Sequence, residues 1–148
     1  MNTAVAAGVV VSSVAVVATA YGVSEYVRRP LTIKQSRDRG YPEKKDNEDN
    51  YGENSLGEEY KDYLAGAADG VNDSWWDRKQ EWFFSLEGGD TPKETGLGFK
   101  TLYGEKESKK DNKGELKSFC KAEYAKTVSE TEKKEVFKYC SDGYEVPK

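Results

Sequence analysis

Apolar residues are concentrated at the start of the chain, where residues 3–23 include no charged side chain. A helix of about 20 apolar residues spans the hydrocarbon layer of a bilayer. On a helix, the apolar side chains of this stretch would lie on every side, and the polar remainder of the chain could not cover all those faces in a soluble fold. The pattern therefore predicts a transmembrane anchor, an uncleaved signal, over residues 1–24.

The same stretch has one feature of a cleaved signal peptide. Ala18, Thr19 and Ala20 form an A-x-A pattern directly before Tyr21. However, no Lys or Arg precedes the apolar run, and the run is longer than the core of a typical signal. A retained anchor is the favoured prediction, and cleavage is the alternative.

Polar residues dominate the next part of the chain. Residues 25–57 are predicted to form a basic juxtamembrane stretch, from Arg28 to Arg39, followed by an acidic flexible linker rich in Gly and Asn. The basic stretch could hold anionic lipid headgroups, at about 1 kcal/mol per basic residue. A stop-transfer flank without any further role is the favoured prediction for these residues, and lipid binding is the alternative.

The most aromatic part of the chain lies in residues 58–104, which predict a small helical region. Ser74 is the expected N-cap of a helix that ends before Gly88. One face of this helix carries Trp75, Trp82, Phe83 and Leu86, with Trp76 beside it, and the polar face includes Gln80. Trp75, Trp76, Trp82 and Phe83 are candidate contact residues for a ligand or partner, or else they form a small core.

Two shorter predictions follow this helix. Alternation of Phe99, Thr101 and Tyr103 with Lys100 and Leu102 indicates a short extended segment. The charged residues 105–114 are predicted to be a second linker.

Residues 115–143 predict a helical hairpin. Leu116, Phe119, Cys120 and Tyr124 share a helical face, and a capping box that begins at Ser129 opens a second helix with Val136, Phe137 and Cys140 on one face. The two cysteines would lie at the open ends of the hairpin. A disulfide between them would close a loop of about 20 residues and stabilise the pair by about 3 kcal/mol. Two buried free thiols are the alternative.

Composition narrows the function. Charged residues make up 34% of the 148 residues, so we expect a mainly α, partly disordered chain with a small core. The chain has no histidine, which excludes His-based catalysis and His-based metal sites, and two cysteines are too few for a structural zinc site. A net charge of −4 gives no general case for nucleic-acid binding. We expect no catalytic residue, metal or cofactor.

Membrane sidedness depends on two opposing signals. The positive-inside rule places the basic stretch after the anchor, and with it the polar part, in the cytoplasm. The predicted disulfide favours an oxidising compartment outside. A single-pass protein of the cell membrane with its polar part outside is the favoured prediction.

The layout resembles a paralogous family of short, uncharacterised membrane-associated proteins of hemotrophic mycoplasmas. The resemblance is carried by the apolar residues 3–23, the Trp-bearing residues 75–86, the motif Leu116-Lys-Ser-Phe-Cys120 and the motif Phe137-Lys-Tyr-Cys140. The chain departs from the family in its longer acidic linker and in its doublet of Trp75 and Trp76. The resemblance implies a surface-displayed protein and assigns no catalytic residue.

These observations predict a non-enzymatic, membrane-tethered protein with a display or interaction role. The bilayer is the expected partner, together with an unidentified protein. The alternative is a cytoplasm-facing adaptor that binds anionic lipid through its basic juxtamembrane stretch.

Overall fold

A computed structural model of the chain describes residues 29–41, 51–93 and 98–148. The predicted anchor, residues 1–24, and most of the acidic linker lie outside the described residues. Residues Leu31–Lys148 belong to one compact unit. The described helices are α1 (Ile33–Asp38), α2 (Leu56–Glu59), α3 (Asp73–Ser85), α4 (Phe99–Gly104), α5 (Lys106–Lys109), α6 (Glu115–Glu123) and α7 (Glu130–Cys140), with one 3-10 turn at Gly88–Asp90.

The prediction of a mainly helical fold is confirmed for these ranges. Extended pairing is limited there to two isolated bridges, Thr32 with Ala65 and Leu64 with Ser141. Within the same ranges, none of the helices combines the length and the apolar composition needed to cross a membrane.

Helix α3 supplies much of the core. Trp75, Phe83 and Leu86 of the predicted apolar face are buried, together with Trp76, Phe84 and Gln80, whereas Trp82 of that face is exposed. The expectation that Gln80 lies on the polar face is wrong. Its side chain accepts a hydrogen bond from the Leu116 N–H at 2.9 Å and donates one to the Asn112 carbonyl at 2.6 Å. Burial of this amide is therefore compensated by backbone groups at the start of α6.

The start of α3 also differs from the prediction. Asn72, and not Ser74, is the N-cap, and it has a left-handed backbone with φ of 59° and no side-chain cap hydrogen bond. Its side-chain oxygen instead accepts from the Leu31 N–H at 2.9 Å, and its amide donates to the carbonyls of Leu31 and Gly66. Asn72 thus joins three chain segments.

The predicted juxtamembrane stretch and linker, residues 25–57, is partly folded. Thr32 and Gln35 form a capping box at the start of α1, and Ile33 is fully buried. The Ile33 N–H donates to the Leu64 carbonyl at 3.0 Å. The charged residues after the apolar run predict a juxtamembrane segment outside the fold. The contact with Leu64 instead makes residues 31–41 part of the compact unit.

Helix α2 begins at Leu56, two residues before the predicted boundary at residue 58. Ser55 is the N-cap of this helix, and its side chain accepts from the Glu58 N–H. The backbone N–H groups of Leu56 and Gly57 donate to the carbonyls of Lys126 and Tyr124, each at 2.8 Å. These bonds attach α2 to the segment between α6 and α7.

Two segments between α3 and α6 are helical where other structure is expected. The predicted extended segment is α4, in which Phe99 and Leu102 are buried on the same helical side. Gly98 precedes it with φ of 83°, a conformation that glycine adopts without strain. The predicted linker, residues 105–114, contains α5. Short alternation cannot distinguish a strand from one helical turn whose burial depends on tertiary contacts.

The predicted disulfide between Cys120 and Cys140 is present, and their Cα atoms are 5.9 Å apart. It links α6 to α7, and both cysteines are fully buried. The expectation that both lie at open ends of a hairpin is wrong for Cys120. Cys140 is the last residue of α7, at the open end, whereas Cys120 lies in the middle of α6, which begins at Glu115 and ends at Glu123.

Candidate functional site

Two of the four aromatic candidates are core residues. The Trp76 indole N–H donates to the Gly66 carbonyl at 2.9 Å, and the side chain is almost fully buried. Phe83 is fully buried, and its ring centroid lies 5.0 Å from that of Tyr139. These rings hold α3 against the rest of the unit and offer little surface to a ligand.

The other two candidates lie at the edge of the core. Trp75 is mostly buried, and its indole N–H is 3.4 Å from a carboxylate oxygen of Asp142. Trp82 is 37% exposed. Trp82 is therefore the aromatic candidate best placed to contact a molecule in solution.

A lysine lies between these two indoles. The Lys79 ammonium is 4.3 Å from the ring centroid of Trp82 and 5.5 Å from that of Trp75, which places it within cation–π distance of both. In the part of the chain that the structure describes, Lys79 shows no hydrogen bond or salt bridge. The two indole faces are the close partners of its charge, and the Asp142 carboxylate also favours the charged form.

Electrostatics around Lys79 are unusual for a lysine. Burial lowers the pKa of Lys79 to about 8, Asp142 opposes this shift, and Lys138 adds to it. A second ammonium group therefore acts repulsively on a charge that is already partly desolvated. The surroundings of Lys79 therefore disfavour its charged form.

Helix α7 completes this surface. The Lys138 ammonium lies 5.4 Å from the ring centroid of Tyr139 and donates to the Asp90 carbonyl at 3.1 Å. Tyr139 packs against Trp82 with their ring centroids 6.0 Å apart. We call Lys79, Trp82 and Lys138, with the buried rings of Trp75 and Tyr139 beneath them, the Lys79–Trp82 surface.

The chemistry of the Lys79–Trp82 surface suits recognition of an anion beside an apolar face. Ammonium groups bind oxyanions, and an exposed indole provides a flat apolar contact. Asp142 is a carboxylate that acts on Lys79, and the carboxylates of Asp90 and Glu135 act on Tyr139, whose pKa is raised by burial and by these two groups.

Sequence spacing contains a signal for Lys79 that the aromatic pattern alone does not use. Lys79 lies four residues after Trp75 and three before Trp82, so all three share one helical stripe. Lys138 and Tyr139 come from α7, and their proximity to α3 depends on tertiary packing. The spacing could have indicated the α3 half of the surface only.

The basic juxtamembrane stretch is engaged within the protein where the structure describes it. Lys34 forms an ion pair with Asp38 at 2.9 Å, and the Arg37 guanidinium forms a two-pronged pair with Glu58. Burial raises the pKa of Glu58, but hydrogen bonds from Arg37 and the Tyr51 N–H outweigh it and hold that pKa below its ordinary value. The charge of Arg37 is thus already paired.

Acidic groups elsewhere do not form a comparable site. A shallow surface depression is lined by Gly52, Glu53, Asn54, Glu58, Glu59 and Lys61. Among the described residues, no group of three or more metal-ligating side chains is close enough to hold an ion. Glu123 is buried, and burial raises its pKa while Lys126 opposes the shift.

No protein-family model, curated protein or solved structure shows a significant match to this chain. The resemblance to the mycoplasma family therefore stays a prediction that depends on the quoted motifs.

Proposed function

We propose that this is a non-enzymatic, membrane-tethered protein whose folded unit, residues 31–148, is displayed outside the cell for interaction. In this proposal residues 1–24 form the single membrane-spanning helix. The observation that carries the proposal is the buried disulfide between Cys120 and Cys140.

The disulfide supports an external location because of where such bonds persist. Disulfides are stable in oxidising compartments and at cell surfaces, and they are rare in a reducing cytosol. Both cysteines are fully buried between α6 and α7, so the bond belongs to the interior of the fold. A buried structural bond of this kind fits a unit that folds outside the membrane.

The cytoplasm-facing lipid adaptor has less support. That function requires cationic side chains free to meet lipid headgroups. Lys34 and Arg37 pair with Asp38 and Glu58 within the folded unit, which reduces the charge available for a membrane surface.

Thiol trapping in intact cells tests the proposal. Cells that express the full chain are quenched in acid and alkylated, and the protein is digested without reduction. We expect mass spectrometry to detect a peptide pair joined through Cys120 and Cys140. Alkylated peptides from both cysteines, with no joined pair, would contradict the proposal.

A single-cysteine variant provides the control for this experiment. In Cys120→Ala the remaining Cys140 has no intramolecular partner, so it should be recovered in alkylated form after denaturation. Its recovery shows that trapping and digestion detect a free thiol at this position.

A further inference from the structure

We propose that the Lys79–Trp82 surface binds an acidic saccharide, a sugar that carries a carboxylate or sulfate group. The inference rests on the proposed display outside the cell, where such sugars would be met. It adds a ligand class and specific residues to that function.

The first observation is the pair of cationic side chains. Lys79 has aromatic neighbours at cation–π distance and no ion pair among the described residues, and Lys138 acts on it repulsively. An oxyanion between or beside two such ammonium groups removes their repulsion and replaces lost hydration. The free protein thus carries an electrostatic cost that an anionic ligand would relieve.

The second observation is the partly exposed indole of Trp82. Trp82 lies beside Lys79 and against Tyr139, the neighbour of Lys138, and it is 37% exposed, so part of its ring is open to solvent. A sugar ring offers an apolar C–H face together with its charged substituent. Such a ligand can contact the indole and the ammonium groups at the same time.

The third observation is the small exposed apolar area of the surface. Among the described residues, the large exposed hydrophobic side chains are Tyr41, Trp82 and Tyr144. A stable protein–protein interface buries about 800 Å² on each partner around an apolar centre. One exposed indole beside Lys79 suits a small polar ligand better than a protein face.

Besides Asp90 and Glu135, which act on Tyr139, Asp142 is an acidic residue near the surface. Its carboxylate accepts from the Trp75 indole N–H and raises the pKa of Lys79, yet burial and Lys138 together keep that pKa at about 8. A ligand oxyanion would therefore raise the pKa of Lys79 further, which provides a second measurement of binding.

Binding is tested with the full chain in nanodiscs of neutral lipid at low ionic strength. The probes are a sulfated oligosaccharide, a carboxylated oligosaccharide, a neutral oligosaccharide of equal length, an oligoglutamate peptide and inorganic sulfate. We expect calorimetry to detect binding of at least one acidic oligosaccharide and none of the neutral one. Binding should raise the pKa of Lys79, as followed by NMR of its side chain.

Variants distinguish binding at a specific site from attraction by the overall charge of the protein. Lys79→Gln and Trp82→Ala should each weaken binding about tenfold or more, whereas Arg78→Gln should change it less than about twofold. Arg78 is the matched control because it lies next to Lys79 on α3, is exposed and carries the same charge. If Lys79→Gln fails to fold, Lys138→Gln replaces it with the same expectation.

Four results would overturn the inference. Equal losses in Lys79→Gln and Arg78→Gln would show dependence on net charge alone. Oligoglutamate that binds as tightly as the acidic sugar would indicate a protein partner, and competition by inorganic sulfate at the same concentration would indicate an adventitious ion only. Absence of binding to all probes would remove the site, but it would leave the disulfide and its location untouched.

Discussion

At Gly57 the backbone of α2 lies against two tyrosine side chains. A Cβ atom added there would be 2.7 Å from Tyr51 Cδ2 and 2.9 Å from Tyr124 Cβ. The Gly57 N–H donates to the Tyr124 carbonyl at 2.8 Å, so α2 cannot move away without losing this bond. The absence of a side chain is what lets α2 attach to the segment after α6.

Gly57→Ala should therefore destabilise the protein, by about 1–3 kcal/mol in the free energy of unfolding. Chemical denaturation followed by circular dichroism measures this. Gly104→Ala is the matched control, because nothing lies within 4 Å of an added Cβ there. The control should be neutral or stabilising by up to about 1 kcal/mol, since alanine favours helix. Equal stability of the two variants would contradict the close approach.

The pair of Arg37 and Glu58 predicts a pH dependence. Because the folded pKa of Glu58 is lowered, its stabilisation is present above the unfolded pKa of about 4.3 and is lost as pH falls through the folded value. Glu58→Gln should reduce the free energy of unfolding by about 1–3 kcal/mol at neutral pH. Thermal melts should show this difference shrinking in acid; a difference that stays constant with pH would count against the ion pair.

Glu123 predicts a pH dependence of stability opposite to that of Glu58. Its Oε1 has no hydrogen-bond partner among the described residues, and burial raises its pKa. A raised folded pKa gives stability that is present below the unfolded pKa and lost as pH rises through the folded value. Glu123→Gln should thus stabilise the protein at neutral pH, on the order of 1 kcal/mol, with no gain in acid.

Thermal melts across pH check this prediction against Glu145→Gln, in which an exposed carboxylate is removed. The control should show little change at any pH. Destabilisation of Glu123→Gln at neutral pH would mean that the ion pair with Lys126 outweighs the cost of burial.

At the scale of elements, the disulfide fixes more than α6 and α7. Cys140 ends α7, and its carbonyl accepts from the Ala65 N–H at 2.9 Å. The next residue, Ser141, pairs with Leu64, and Ala65 in turn pairs with Thr32. The bond therefore holds the end of α7 where two other chain segments dock.

Removal of the bond should cost about 3 kcal/mol, as expected for a closed loop of about 20 residues. The variant Cys120→Ala with Cys140→Ala should melt well below the wild type, and wild type unfolded in reductant should behave similarly. Because both cysteines are buried, folded wild type should resist reduction until denaturant is added. Rapid reduction without denaturant would contradict the buried bond.

The sequence predicts a helix when residues within that helix, such as a capping residue, determine where it begins or ends. Ser129 accepts from the Glu132 N–H and starts α7, as its capping motif predicts. Helix α3 follows from its aromatic stripe. Helix α1 also has a local signal, the capping box of Thr32 and Gln35, which the prediction did not use. The burial of Ile33 is not local, because its segment docks on Leu64, far along the chain.

The Lys79–Trp82 surface also combines features that local sequence predicts with features that depend on tertiary packing. The alignment of Lys79 with Trp82 follows from helical spacing within α3, whereas the burial of Trp76, which the pattern places beside the apolar face, does not. The repulsion from Lys138 and the contact of Tyr139 require α7 to pack against α3, and no local pattern specifies that packing. The exposed fraction of Trp82 is likewise a result of tertiary structure.

At the scale of the whole molecule, aromatic rings provide a core for a strongly charged chain. Phe83, Phe99 and Tyr139 come from three helices and pack with ring centroids 5.0–6.3 Å apart. Large rings bury much apolar area per residue, which suits a unit with few aliphatic side chains. The disulfide adds stability that so small a core needs.

Display of this unit outside the cell is the central claim, and the position of the C-terminus tests it most directly. Intact cells that express the chain with an epitope tag after Lys148 are treated with protease. A cytosolic protein is the control for cell integrity. We expect loss of the tag while the cytosolic control stays intact. A tag that is protected on intact cells and lost only after permeabilisation would contradict external display.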